Sequence, residues 1–361
     1  LKTYKNLYQK FITEDNIRLA IKKASIGKRK RKQVLPFIEH TDEHIKEIID
    51  YANNFYNEPH VSHVINERGR GKAREIVVPT FREQIVHHMV VRTLEPIMMK
   101  GMYEHSYGSI PGRGIHLAKK RAEKWLRKDR KNTKYFLKMD IRHFFASIPH
   151  DKLKTMIGKS VKDERLIKVI STIIDVIPQG LPLGFYTSQW FANWYLQSLD
   201  HFIKEQLKAE YYIRYMDDMV VFGASKRKLH KMIPQIQEYL AGLGLELKPD
   251  WFVARFVYED EGKEYGRDLD FMGFRFYRER TTLRRSIMLR TTRLAKRMKR
   301  TISNAHRFMS YLGWFDHSDT YNVYLKWIKP FVVVHSIKAQ IGRYDRRRFK
   351  RCGIKAQTAI V

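Results

Sequence analysis

Tyr211-Tyr212-Ile213-Arg214-Tyr215-Met216-Asp217-Asp218-Met219-Val220-Val221-Phe222 places two adjacent carboxylates inside an apolar, aromatic and β-branched run. The flanks Ile213, Tyr215, Met216, Met219, Val220 and Val221 are those of buried strands, so the stretch predicts two strands with Asp217-Asp218 at their junction. Asp is common in hairpin turns, and turn chemistry alone accounts for such a pair. Burial argues for more, because an unpaired carboxylate beside a strand core is costly. A second buried strand, Tyr135-Phe136-Leu137-Lys138-Met139-Asp140, ends on another acid. If Asp140 meets the pair, three clustered carboxylates repel unless cations neutralise them. Mg²⁺ prefers such oxygen ligands and keeps sites for phosphate oxygens. Two such ions about 3.5–4 Å apart activate a hydroxyl and stabilise a leaving pyrophosphate in line.

The rest of the chain supplies the opposite charge. Its 361 residues carry 70 Lys+Arg against 38 Asp+Glu, a formal net charge of +32. A surplus of that size points to a polyanion partner, nucleic acid first and a membrane surface second. No apolar run approaches the roughly 18–20 residues of a membrane span, and no signal pattern opens the chain. The first residue is Leu1, so an upstream or processed start is expected. A composition of 43% apolar and 13% aromatic residues excludes disorder and fibrous classes. The single cysteine, Cys352, excludes a disulfide scaffold and a Cys-based zinc cluster, and suits a reducing, cytoplasmic compartment.

Length predicts two or three packed subdomains. The basic residues cluster at Lys28-Arg29-Lys30-Arg31-Lys32, at Trp125 to Lys134, and over Thr281 to Val361, where 19 Lys/Arg face 3 Asp/Glu. Thr187 or Ser188 is expected to cap one long helix carrying Trp190, Trp194, Leu196, Leu199, Phe202, Ile203 and Leu207. Leu294, Met298, Ile302, Ala305, Met309 and Leu312 predict another single helix, with Arg293, Lys296, Arg300 and Arg307 on a second face. That basic face suits a nucleic-acid duplex. No internal repeat or low-complexity segment is present.

Tyr215-Met216-Asp217-Asp218 resembles the Tyr-x-Asp-Asp hairpin of reverse transcriptases, and Met139-Asp140-Ile141-Arg142-His143-Phe144-Phe145 resembles their first catalytic motif. Further motifs follow in the family's order. Arg74-Glu75-Ile76-Val77-Val78-Pro79 with Arg82-Glu83-Gln84-Ile85-Val86 resembles the fingers motif. Ser106-Tyr107-Gly108-Ser109-Ile110-Pro111-Gly112-Arg113-Gly114 resembles the Gly-x-x-Pro-Gly-Arg segment of intron-type bacterial enzymes. Leu243-Gly244-Leu245-Glu246-Leu247-Lys248 and Leu269-Asp270-Phe271-Met272-Gly273-Phe274 resemble the later palm and primer-grip motifs. One segment departs from the common pattern. Where most members read Gln-Gly-x-x-x-Ser-Pro, this chain reads Leu183-Gly184-Phe185-Tyr186-Thr187-Ser188-Gln189. That departure is similar to diversity-generating retroelement enzymes, which lack added nuclease or maturase domains.

The resemblance implies an α/β (α+β) right-hand polymerase fold with fingers, an antiparallel-sheet palm and a helical thumb. Residues 1–114 and 148–182 would form the N-terminal extension and fingers, 115–147 and 183–279 the palm, and 280–361 the thumb. Asp140 and Asp217 would be the main ligands of two Mg²⁺ ions (Mn²⁺ as substitute), with Asp218 adjacent and less direct. Lys72 and Arg74 would bind the dNTP triphosphate, Phe145 would face the ribose, Leu183, Gly184 and Gln189 would lie beneath the base pair, and Lys248 would protonate pyrophosphate. Each has a plainer alternative: surface charge for Lys72 and Arg74, core packing for Phe145, a loop start for Lys248-Pro249. Arg113, Tyr215, Met272, Gly273, Arg293, Lys296 and Arg300 would contact nucleic acid.

The implied partners are template RNA, cDNA or primer, dNTPs and a small basic oligomeric accessory protein, in a bacterial or phage-encoded cytoplasmic setting without a membrane. The subgroup further implies copying a template-repeat RNA with errors at adenines, to diversify a target gene. Two alternatives stand beside it: another bacterial reverse transcriptase (antiphage, retron or intron-derived), and a catalytically silent RNA-binding protein of the same fold. The pairs His40/His44 and His60/His63 lack a third ligand set and do not read as zinc sites. His87-His88 read as packed or phosphate-facing.

Overall fold

The computed structural model describes residues 2–67, 72–298 and 301–351, so Arg300, Cys352 and the remainder of the C-terminal segment lie outside the described residues. Helices and short antiparallel strands alternate along the chain, as expected of a mixed α/β fold. Contacts divide it into two units, the first formed by Leu1–Gly114, Leu137–Phe222 and Arg227–Val253.

In the first unit, β1 (Val61–Glu67) and β2 (Lys72–Val78) form an antiparallel hairpin, with Ile65 opposite Arg74. The central sheet, most of whose residues belong to this unit, contains β3 (Tyr135–Asp140), β4 (Tyr211–Tyr215), β5 (Asp218–Gly223) and β6 (Phe252–Arg255), in the spatial order β4-β5-β3-β6. The apolar run quoted first builds its middle: Tyr212, Ile213, Val220 and Val221 are completely buried. The β4–β5 register runs from Tyr211 opposite Phe222 to Tyr215 opposite Asp218, leaving Met216 and Asp217 as the turn. The helix Phe81–Lys100 carries Ile85, Val86, Met89, Val90 and Leu94 inward and packs against the helix Glu14–Ala24. Thr80 and Glu83 close a reciprocal capping box at its start, satisfying two otherwise orphaned N–H groups.

The long helix expected from Thr187 to Leu207 is interrupted. A helix spans Tyr186–Tyr195, capped by neither Thr187 nor Ser188, both of which are buried inside it. The chain re-forms as Gln197–His201 and then widens into a π turn over Phe202–Gln206. Leu199, Asp200 and Ile203, at i, i+1 and i+4, are all buried on one side of this segment.

The second unit comprises Ile115–Phe136, Gly223–Lys226 and Ala254–Val361. It contains the hairpin β7 (Tyr258–Asp260) and β8 (Lys263–Tyr265), and a three-stranded sheet of β9 (Leu269–Phe271), β10 (Phe274–Phe276) and β11 (Thr281–Leu283) in the order β11-β10-β9. Four helices follow, Arg285–Lys296, Ile302–Phe315, Tyr321–Trp327 and Val334–Arg351. The single helix expected through Leu294 and Leu312 is therefore two. The first ends at Lys296, and Thr301 starts the second by accepting a hydrogen bond from the Asn304 N–H. Among the described residues no helix is long and apolar enough to cross a membrane.

Candidate active site

Strand pairing delivers the acids to one place. Asp140 ends β3, whose neighbour β5 begins at Asp218, and the Ile141 N–H reaches the Asp217 carbonyl at 3.4 Å. Met216 adopts φ +56°, the left-handed conformation that closes the β4–β5 turn. The Asp217 carboxyl is pushed up to about 6, by burial first and then by Asp140 and Asp218, with Lys248 opposing. Two lysines answer the other acids. Lys248 Nζ lies 2.5 Å from Asp140 Oδ1, and Lys138 pairs with Asp218.

Among the described residues no three His, Cys, Asp or Glu side chains form a complete metal cage. Asp140 and Asp217 nevertheless fit a hard cation. They are oxygen donors whose mutual repulsion a cation relieves, and their partial exposure leaves room for water and phosphate oxygens to complete the coordination shell.

Elsewhere in the first unit, β2 meets the loop before the helix Tyr186–Tyr195. The Val77 N–H donates to the Leu183 carbonyl at 2.8 Å, and a Cβ on Gly184 (φ +114°) would lie 2.2 Å from the Val77 oxygen. Leu183 is half-buried, whereas Gln189 is exposed. Phe145 is half-buried against Phe144, with its carbonyl accepting the Leu181 N–H at 2.7 Å. Arg74 is exposed on the hairpin; Lys72 stands opposite Glu67, and its side chain lies outside the described residues. Arg113 donates to the Tyr103 carbonyl at 2.6 Å, so that contact tethers its own loop. Tyr215 is half-buried beside the turn.

The second unit carries the remaining expected nucleic-acid contacts. Met272 (φ +53°) and Gly273 (φ +85°) make the two-residue turn between β9 and β10. Arg293 and Lys296 are exposed, and the Lys296 ammonium lies 4.4 Å from the Trp327 ring centre. Arg300 lies outside the described residues.

Four residues with no assigned role in the sequence reading prove central to the geometry: Lys138, Asn193, Asp200 and Arg214. Lys138 stands two residues before Asp140, and period-2 alternation places both on one strand face. Arg214 and Asp200 form an ion pair with neither side chain exposed. The signal for Arg214 was a cation inside an apolar strand, which requires a buried partner. The histidine pairs behave as packing or surface groups. His40 meets Glu43, His44 meets Glu47 and His60 meets Glu83. His87 is fully buried 4.6 Å from Phe185, and His88 stacks on Tyr186 at 4.0 Å.

Residues 65–275 match the family described as Reverse transcriptase (RNA-dependent DNA polymerase), more than half of the chain. The chain is 29% identical over 160 residues to an "Uncharacterized 91 kDa protein in cob intron" of Schizosaccharomyces pombe, covering 41% of this chain and 19% of that protein. It is 27% identical over 220 residues to the "Group II intron-encoded protein LtrA" of Lactococcus lactis subsp. cremoris, covering 58% and 35%. It is 26% identical over 174 residues to the "Retron Ec73 reverse transcriptase" of Escherichia coli, covering 44% and 52%. The matched region thus spans between about a fifth and a half of each relative's length.

Proposed function

Because this chain belongs to the reverse transcriptase family and has its right-hand polymerase fold, we propose that it is an RNA-directed DNA polymerase that extends a primer with dNTPs on an RNA template. The observation that carries the proposal is the placement of Asp140 at the end of β3 beside Asp217 in the turn that leads into the neighbouring β5, with the Ile141 N–H 3.4 Å from the Asp217 carbonyl and the Asp217 carboxyl raised to about 6 by burial and by Asp140 and Asp218. Two Mg²⁺ ions bound there would supply activation of the primer hydroxyl and charge neutralisation on the leaving pyrophosphate. Asp140 and Asp217 would hold them, and Asp218, drawn to Lys138, would support the site from the side. Lys248 orients Asp140 and delivers a proton to the leaving pyrophosphate. Lys72 and Arg74 receive the triphosphate, Phe145 faces the ribose, and the Leu183–Gly184 backbone floors the nascent pair. The basic surplus holds template and primer through their phosphates.

The finer proposal is membership of the diversity-generating subgroup, which rests on Leu183 and Gln189 in place of the common Gln and Pro. Leu packs but neither donates nor accepts a hydrogen bond, so the pocket loses a polar check on the base pair. The enzyme would then copy a template-repeat RNA with errors at adenines, working with a small basic accessory protein. A second reading, an intron-derived or retron enzyme, is favoured by the group II intron and retron relatives. Sequencing cDNA made by the enzyme and its Leu183→Gln variant on one RNA template, with cognate RNA and partner present, separates the two. The mutagenic reading expects errors concentrated opposite adenine in the wild type and reduced in the variant. Errors no commoner at adenine than at other bases would leave the second reading standing.

A further inference from the structure

We infer that Asp200 and Arg214 are positioning residues that fix the Met216-Asp217 turn from within the protein, so that metal-dependent turnover hangs on a buried ion pair which touches neither substrate nor metal. The inference rests on the reading of Asp217 as a metal-holding carboxylate.

Arg214 is the last residue but one of β4, and its side chain is completely buried. Its guanidinium is bidentate on Asp200, Nε to Oδ1 at 2.7 Å and Nη2 to Oδ2 at 2.6 Å. Tyr212 donates its hydroxyl to the same Oδ1 at 2.8 Å. The fork geometry then aims Nη1 away from Asp200 toward the turn, where it donates to the Met216 carbonyl at 3.0 Å and to Asn193 Oδ1 at 3.0 Å. The Met216 carbonyl belongs to the peptide plane that carries the Asp217 N–H. A charge-assisted hydrogen bond on that oxygen therefore sets the orientation from which the Asp217 side chain departs.

The other side of the turn is held as tightly. Asn193 Nδ2 donates to the Gly108 carbonyl at 2.7 Å and contacts Met216 Sδ at 3.4 Å. Gly108 lies so close that a Cβ there would come within 2.7 Å of the Met216 nitrogen. Arg214 itself cannot drift, because its N–H donates to the His105 carbonyl and its carbonyl accepts the Tyr107 N–H, both at 3.0 Å. A left-handed, non-glycine residue is thus clamped through its carbonyl, its side chain and its nitrogen side.

Apolar side chains would fill the same volume at no desolvation cost, and a buried ion pair is by itself a weak source of stability. What Asp200 and Arg214 add is direction. The test compares Arg214→Lys, which keeps the charge toward Asp200 but not the planar fork, with the double variant Asp200→Leu/Arg214→Met, which removes both charges. Asn193→Ala serves as a third variant, which removes one Arg214 Nη1 acceptor and the Gly108 contact but keeps both charges and the fork on Asp200. In each variant that melts cooperatively, kcat for dNTP incorporation is expected to fall at least tenfold. The Mg²⁺ concentration for half-maximal activity is expected to rise severalfold, while dNTP KM and primer-template Kd stay within twofold. Wild-type kcat and Mg²⁺ dependence in the folded variants would overturn the inference, as would weakened primer-template binding with unchanged Mg²⁺ dependence. Asp217→Ala is run beside them: activity in that variant would instead overturn the reading of Asp217 itself.

Discussion

Lys248 grips Asp140 at two points, with Nζ 2.5 Å from Oδ1 and its main-chain N–H 2.9 Å from the Asp140 carbonyl. The residue proposed to protonate the leaving group is therefore built onto a residue proposed to hold the metal. A cation held by Asp140 would compete with this contact, and Lys248 would then be placed to meet pyrophosphate.

Replacing Lys248 with Gln keeps the backbone contact and removes the transferable proton. The expected result is a loss of about 10²-fold in single-turnover incorporation, the low end for a general acid, with dNTP affinity little changed. Single-turnover kinetics over a range of dNTP concentrations measures both. An unchanged rate would assign Lys248 to structure alone.

Gly184 is expected to tolerate no side chain. At φ +114° an Ala is strained by roughly 1–3 kcal/mol, and its Cβ would also strike the Val77 carbonyl. Gly112 (φ +70°) has nothing within 4 Å of the same added atom, so Gly112→Ala meets the backbone strain without the clash. Thermal melting of the two variants should show the larger loss in Gly184→Ala, together with impaired incorporation. Equal losses would mean that the β2–loop junction yields easily.

Burial holds His87 down to about 3, aided by His88 and His60, and holds His88 down to about 4. Both stay neutral in the folded chain while the unfolded chain protonates below the ordinary value of 6.5. The unfolded state then binds more protons, so this stability is fully present above pH 6.5 and is lost as pH falls toward 4 and 3. Each histidine contributes a slope of up to ~1.4 kcal/mol per pH unit in that window. Urea unfolding between pH 5 and 7 should show a shallower pH dependence in His87→Leu than in the wild type; identical slopes would contradict the buried-neutral assignment.

The acids and strands were legible because their signals are local: apolar runs that end on carboxylates, at strand length and in a fixed order. What sequence could not show was partnership. Arg214 reads as one cation in a strand, and its partner Asp200 lies fourteen residues away in a helix whose register changes at Leu196. A regular helix continued through that point sets Asp200 one turn after Leu196 and one turn before Ile203, on the apolar side, but the spacing does not say which cation it meets there. The pairing of Lys138 with Asp218 is likewise long-range, although the shared strand face with Asp140 was readable from the two-residue spacing. The helix expected through Leu294 and Leu312 runs too far because apolar spacing continues across the gap between Lys296 and Ile302, while the stop signal, Thr301 as a cap, is a single residue.

The exposed Arg293 is expected to touch phosphates without reading bases, so its loss should reduce the salt dependence of primer-template binding uniformly across sequences. Arg293→Gln should lower the log–log slope by about 0.7–0.9. Lys296 differs, because its ammonium rests over Trp327, and Trp327→Ala tests whether that stack holds it in place. Binding measured from 50 to 200 mM salt decides both, and an unchanged slope for Arg293→Gln would remove that face from the interface.

The most direct test of the account is Mg²⁺-dependent dNTP incorporation on a primed RNA by Asp217→Ala. The account predicts no detectable incorporation while folding is retained and RNA binding is unchanged or tighter, since a carboxylate near phosphate has been removed. Incorporation at the wild-type rate would contradict it.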